Sequence, residues 1–231
     1  MPFKSYSKEA FEFLSGLEAH NEKAWFDPRK KLYEESVKAP TIALVEALNE
    51  RLSSIAPRYR VPDPAKAIPR LNRDVRFSND KSPYKTEVGA VFSLAGFEKQ
   101  EVAGFYVGVS GRGVTVIGGA YMPGPPQLAA LRAAFVDRAA EFRALVKAPR
   151  LVAAMGELSG DRLKGVPRGF AKDHPAADLL GYTQVYFKTV LPPATATSSA
   201  LTNEIAKRFE LMTPFVTWLD AALAPARSGK G

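Results

Sequence analysis

The sequence predicts an α+β fold, an antiparallel sheet of four to five strands flanked by N-terminal and C-terminal helices. Three observations predict it. Apolar residues recur at helical spacing from residue 7 to about residue 55. From about residue 68 the period changes to two, with strand connections too short to join parallel neighbours. Helical spacing returns after Gly124 and is interrupted by one late strand.

Each element has its own signals. Ser7 is placed to cap a first helix, Tyr6 to staple onto Phe11, and Phe11, Leu14 and Leu17 to form its apolar face. Asp27-Pro28 reads as a cap followed by proline at a first helical position. Leu32, Val37, Leu44, Leu48, Leu52 and Ile55 then mark a long helix, which Pro40 should kink or divide. Tyr6, Phe11, Trp25 and Phe26 are expected in the core. Residues 86–94, 102–109 and 114–121 alternate as strands, with Ser110-Gly111-Arg112-Gly113 as the turn between the last two. A helix over 125–146 carries Leu128, Leu131, Phe135 and Phe142 on one face. A short helix at 149–158, a strand at 183–191 and an amphipathic helix at 199–223 complete the set. We expect one domain over 1–225 and a flexible tail over 226–231.

The 231 residues include no cysteine, which excludes disulfides, thiolate nucleophiles and cysteine-built zinc sites. Two histidines, His20 and His174, are too few for a histidine-rich metal centre, so no metal site is expected. His174 precedes Pro175 and is placed to cap a short helix. Lys8, Glu9 and Glu12 break any apolar leader core, and no run reaches the length of a membrane span. The expectation is a soluble, cytoplasmic protein without a membrane partner. A formal net charge of +8 favours anionic partners, a small anionic molecule ahead of nucleic acid.

The stretch RDVRFSNDKSPYKT, residues 73–86, carries the chemistry. If residues 70–77 are extended, Arg70, Asn72, Asp74 and Arg76 share one face, while Leu71, Val75 and Phe77 share the other with Arg73 intruding. Guanidinium forks suit carboxylate or phosphate, and Asp74 is placed to orient one of them. Ser78-Asn79-Asp80-Lys81 reads as a turn, after which Ser82-Pro83 aims Tyr84 and Lys85. Between residues 58 and 85 eight Lys or Arg face three Asp, and 8 − 3 leaves five cations that internal pairing cannot cancel. Two readings stay open: an anion-binding site, or a salt-bridged corner. Tyr106 lies between Gly104 and Gly108 on one strand face; those glycines either leave room for a ligand against the ring or let a helix approach. Gly118-Gly119 lacks the dinucleotide fingerprint, and neither a P-loop nor a G-x-S-x-G elbow is present.

RDVRFSNDKSPYKT, with AGFYVGVS, VIGGAYMP and GDRLKGVPRGFAKDHP, resembles a family of conserved hypothetical proteins, domain of unknown function 2461. The resemblance runs from FEFLSGLEAHNEKAWF to about residue 191. It implies motif status for Arg73, Asp74, Arg76, Lys81, Tyr84 and Lys85, and it implies no activity, cofactor or catalytic residue. The chain departs at His20-Asn21, where paired asparagines are expected, which argues against a required amide at position 20. It departs again at Gly108-Val109-Ser110, where a more polar strand end is common.

The functional expectation is a site for a small anionic ligand, phosphorylated or not. Arg70, Arg73, Arg76, Lys81 and Lys85 supply positive charge, Asp74 orients an arginine, and Tyr84 and Tyr106 line the pocket. The alternatives are a nucleic-acid-binding module and an interaction protein whose basic corner is salt-bridged or docks an acidic partner. Whether the chain is an enzyme, which cofactor it uses and its oligomeric state are not legible in the sequence.

Overall fold

A computed structural model describes residues 3–76 and 79–227. The predicted positions of Phe77 and Ser78, and residues 228–231 of the predicted tail, lie outside the described residues. Helix α1 (Lys8–Ala19) starts as its sequence requires: Ser7 accepts a hydrogen bond from the Ala10 amide at 3.2 Å. The Tyr6 ring meets Phe11 edge-on at 6.2 Å. Asp27 makes no capping hydrogen bond; it opens a short 3₁₀ turn (Asp27–Arg29) instead. Helix α2 (Ala39–Ile55) follows directly on a π-helical turn (Tyr33–Lys38). Pro40 has no N–H to donate four residues back, so the wider turn before it accommodates the missing bond, which divides the long helix as expected.

Strands β1 (Glu87–Ser93), β2 (Gly104–Ser110), β3 (Gly113–Ala120) and β4 (Val185–Leu191) form an antiparallel sheet in the order β1-β2-β3-β4. The fold is α+β, and N- and C-terminal helices flank this sheet. Helices α3 (Pro125–Val146), α4 (Pro149–Met155) and α5 (Leu201–Leu223) complete the principal elements. His174 caps the short turn Ala177–Leu180, its Nδ1 accepting from the Ala176 amide at 3.0 Å.

The chain divides into two compact units. The first comprises Met1–Phe92, Tyr106–Val116 and Val190–Lys207. Its core holds Leu14, Leu17, Leu44, Leu48 and Leu52, with an aromatic cluster of Phe13, Phe26 and Tyr33. Trp25, expected in the core, is half-buried, stacked on His20 and covered by the Arg29 guanidinium at 4.5 Å.

The second unit comprises Ser93–Phe105, Ile117–Thr189 and Arg208–Gly231. Phe135, Phe142, Phe187, Phe215 and Trp218 form its core. Within it Gly118 packs against Met212, which gives the first of the paired glycines a packing role. Arg227, placed in the predicted tail, is pinned rather than frayed: it ion-pairs with buried Asp220 and covers Phe97. No helix of the described residues is long and apolar enough to cross a membrane.

Candidate functional site

The basic stretch folds back on itself as a closed loop in the first unit. Asn72 and Tyr84 form an antiparallel bridge, with the Arg73 amide donating to the Pro83 carbonyl and the Lys85 amide to the Leu71 carbonyl, both at 2.8 Å. The predicted alternation holds: Leu71 is buried and Arg73 and Val75 are half-buried, while Asn72, Asp74 and Arg76 are exposed. The Tyr84 ring packs on Phe26 at 4.4 Å, which ties the loop to the aromatic core. Asn21 completes the anchorage. Its side-chain amide donates to the Tyr84 carbonyl at 2.9 Å and accepts from the Tyr84 amide at 3.0 Å, as a neighbouring strand would.

Charge within the loop is heavily paired. Arg76 grips Asp74 through Nε and Nη2, and Arg70 adds its own charge to that carboxylate. Arg73 ion-pairs with Asp80, and Asp80 also accepts from the Ser82 amide at 2.9 Å. The bonds from Ser82 and from Arg73 hold the Asp80 carboxyl well below the usual carboxylate range. Lys81 donates to the Val75 carbonyl at 3.0 Å. Asp63 pairs with Lys66, so all three aspartates of the segment are committed inside it. A salt-bridged corner is therefore present.

Beside that corner lies a cleft of about 500 Å³. Its lining includes Arg73, Asp80, Ser82, Tyr84, Lys85 and Thr86 from the loop, Glu18 and Asn21 from the end of α1, and Glu87 and Tyr106 from the sheet. Of the eight sequence-predicted residues, Arg73, Tyr84, Lys85 and Tyr106 line this cleft. Arg70, Asp74, Arg76 and Lys81 are not among its lining; Asp74, Arg76 and Lys81 serve to shape the loop.

The sheet side of the cleft is a hydrogen-bonded triad. Tyr106 donates to one Glu87 oxygen and Thr115 to the other, each at 2.7 Å. Burial and the Glu87 charge push the Tyr106 phenol far up, so it stays a protonated donor at neutral pH. Two glycines make room for it. A Cβ on Gly108 would lie 2.5 Å from the Tyr106 hydroxyl and 2.6 Å from the Glu87 carboxyl carbon, and one on Gly89 would lie 2.6 Å from the same hydroxyl. The space beside Gly108 is thus filled by the Glu87 carboxylate, neither by a free void nor by a helix.

Sequence reasoning missed Glu18, Asn21, Glu87 and Thr115. A signal for Glu87 existed: Glu87 and Gly89 on β1, and Tyr106 and Gly108 on β2, alternate with the core-facing positions of their strands. Glu18 gave none, because its partner Arg112 lies 94 residues away. Asn21 was visible only as the second of the paired asparagines that the resemblance expects, since its partner Tyr84 lies 63 residues away. Among the described residues no group of three or more acidic or histidine side chains is placed to hold a metal ion.

The α+β sheet and its pinned loop enclose a mixed-charge cleft in which cations and carboxylates are interleaved. The model of the family described as conserved hypothetical protein, DUF2461, matches residues 9–218, and the chain belongs to that family. No curated protein and no solved structure matches the chain.

Proposed function

We propose that the first unit's cleft binds a small molecule carrying a phosphate or carboxylate, which Arg73 and Lys85 receive. The observation that carries this reading is the cleft itself. A concavity of about 500 Å³ collects two cations, two tyrosines and several further polar groups beside a loop that Asn21 anchors. That volume falls within the range usual for small-molecule sites. Arg73 spends part of its fork on Asp80, and a guanidinium has five N–H donors, so donors remain for a ligand. Prior fixation of the loop lowers the entropy cost of binding.

The pairing of Arg76 with Asp74 and of Arg73 with Asp80 interrupts any continuous row of cations, which favours one anionic group in a concavity over the phosphate row of a nucleic acid. Calorimetric titration with organic phosphates and carboxylates at low ionic strength tests the reading. Binding should be lost on Lys85→Ala and weakened on Arg73→Ala, and retained on Arg76→Ala. No binding across the panel, or an equal loss on Arg76→Ala, would overturn it.

A further inference from the structure

We propose that Glu87 gives the cleft a second charge requirement, an ammonium group on the ligand, so that the preferred class is a small zwitterion and not a simple anion. The inference rests on the anion-binding reading of the same cleft and adds what the other end of the ligand must be.

Three carboxylates line the cleft, from Glu18, Asp80 and Glu87. Two already face guanidinium groups: Glu18 pairs with Arg112, and Asp80 with Arg73. Glu87 is different. The groups that hold it, Tyr106 and Thr115, are neutral hydroxyls, one on each oxygen at 2.7 Å. They fix the direction of the carboxylate without cancelling its charge. Each oxygen keeps lone-pair capacity beyond the one bond it accepts. Gly89 and Gly108 hold this arrangement in a space where a Cβ would collide with it.

A half-buried carboxylate has given up part of its hydration. The ligand group that best restores the lost interaction is a cation with N–H donors, because charge-assisted bonds are about twice as strong as neutral ones. A purely anionic ligand would meet repulsion there. With Lys85 lining the same cleft, a ligand with an anionic and an ammonium end finds a complementary group for each.

Three probes built on one ethyl phosphate frame separate the possibilities: phosphoethanolamine, its hydroxyl analogue 2-hydroxyethyl phosphate, and ethyl phosphate itself. Calorimetry on the wild-type protein should show phosphoethanolamine binding about tenfold or more tighter than either of the others. Glu87→Gln, which keeps the shape and removes the charge, should abolish that preference, so that phosphoethanolamine no longer binds more tightly than ethyl phosphate. Tyr106→Phe, which frees one carboxylate oxygen but keeps the charge, should retain a preference for the amine, and a melting curve on each variant confirms folding. Equal affinity for the three probes, or a preference that survives Glu87→Gln, overturns the inference and leaves the anion site standing. Tightest binding of the hydroxyl probe overturns the ammonium requirement. Failure of all three to bind overturns the anion reading and this inference with it.

Discussion

Replacing Asn21 by alanine should release the basic loop from the body of the first unit. The side-chain amide makes two hydrogen bonds to the Tyr84 backbone, at 2.9 and 3.0 Å, in a half-buried setting. Each such bond contributes roughly 0.5–1.5 kcal/mol net, so the pair contributes about 1–3 kcal/mol to the closed loop. Among the described residues no backbone group bonds to the Tyr84 carbonyl or amide to restore these bonds at once. If the loop opens locally, that energy appears as an increase of about 5–150-fold in the open population. The amides of Arg73 and Lys85 report it directly, since both are hydrogen-bonded only while the bridge across the loop is closed. Hydrogen exchange by NMR on Asn21→Ala should show both amides exchanging faster by that factor, with amides in α2 unchanged. Unchanged protection at Arg73 and Lys85 would refute the claim that Asn21 is the clamp.

The other expectations concern the triad, the loop's ion pairs and the second unit. Gly108→Ala places a methyl 2.5 Å from the Tyr106 hydroxyl, so melting should fall by the equivalent of about 1–3 kcal/mol, with weaker ligand binding because Glu87 is displaced. Asp80 has a carboxyl pKa depressed by Ser82 and Arg73, so its contribution is present above the unfolded value of about 3.9 and is lost as pH falls through the folded value. The melting-temperature gap between wild type and Asp80→Asn should therefore be flat near neutrality, shrink below about pH 4, and narrow in high salt because the pair is exposed. In the second unit Arg227→Ala leaves the buried Asp220 without its guanidinium; denaturant unfolding should register a loss of about 3–5 kcal/mol, with faster exchange at the Ala103 amide, which donates to Asp220.

Local rules made most of the fold legible. The Ser7 cap, the Tyr6–Phe11 contact, the division at Pro40 and the His174 cap are short-range, and each depends on residues within a few positions of each other. Asp27-Pro28 looked like the same kind of signal, yet a 3₁₀ turn replaced the expected capped helix start, because the chain there continues from the helical turn Lys23–Phe26. The charged stretch was legible as a unit, and its alternation was correct. Its division of labour was not. Whether Arg73 or Arg76 faces a cleft depends on where Asn21 and Phe26 hold Tyr84, and no spacing within residues 70–85 encodes that. Arg227 shows the same limit, since a frayed tail and a pinned one differ by one buried carboxylate seven residues upstream.

The central claim is that Arg73 and Lys85 bring an anionic group into the cleft of the first unit. The most direct measurement is an amide chemical-shift titration of the intact protein with ethyl phosphate and with phosphoethanolamine. The expected result is saturable shifts gathered at Asn21, Ser82, Lys85, Glu87 and Tyr106, absent on Lys85→Ala. Shifts that never saturate, or that gather instead around exposed Arg70, Arg76 and Lys81, would contradict it.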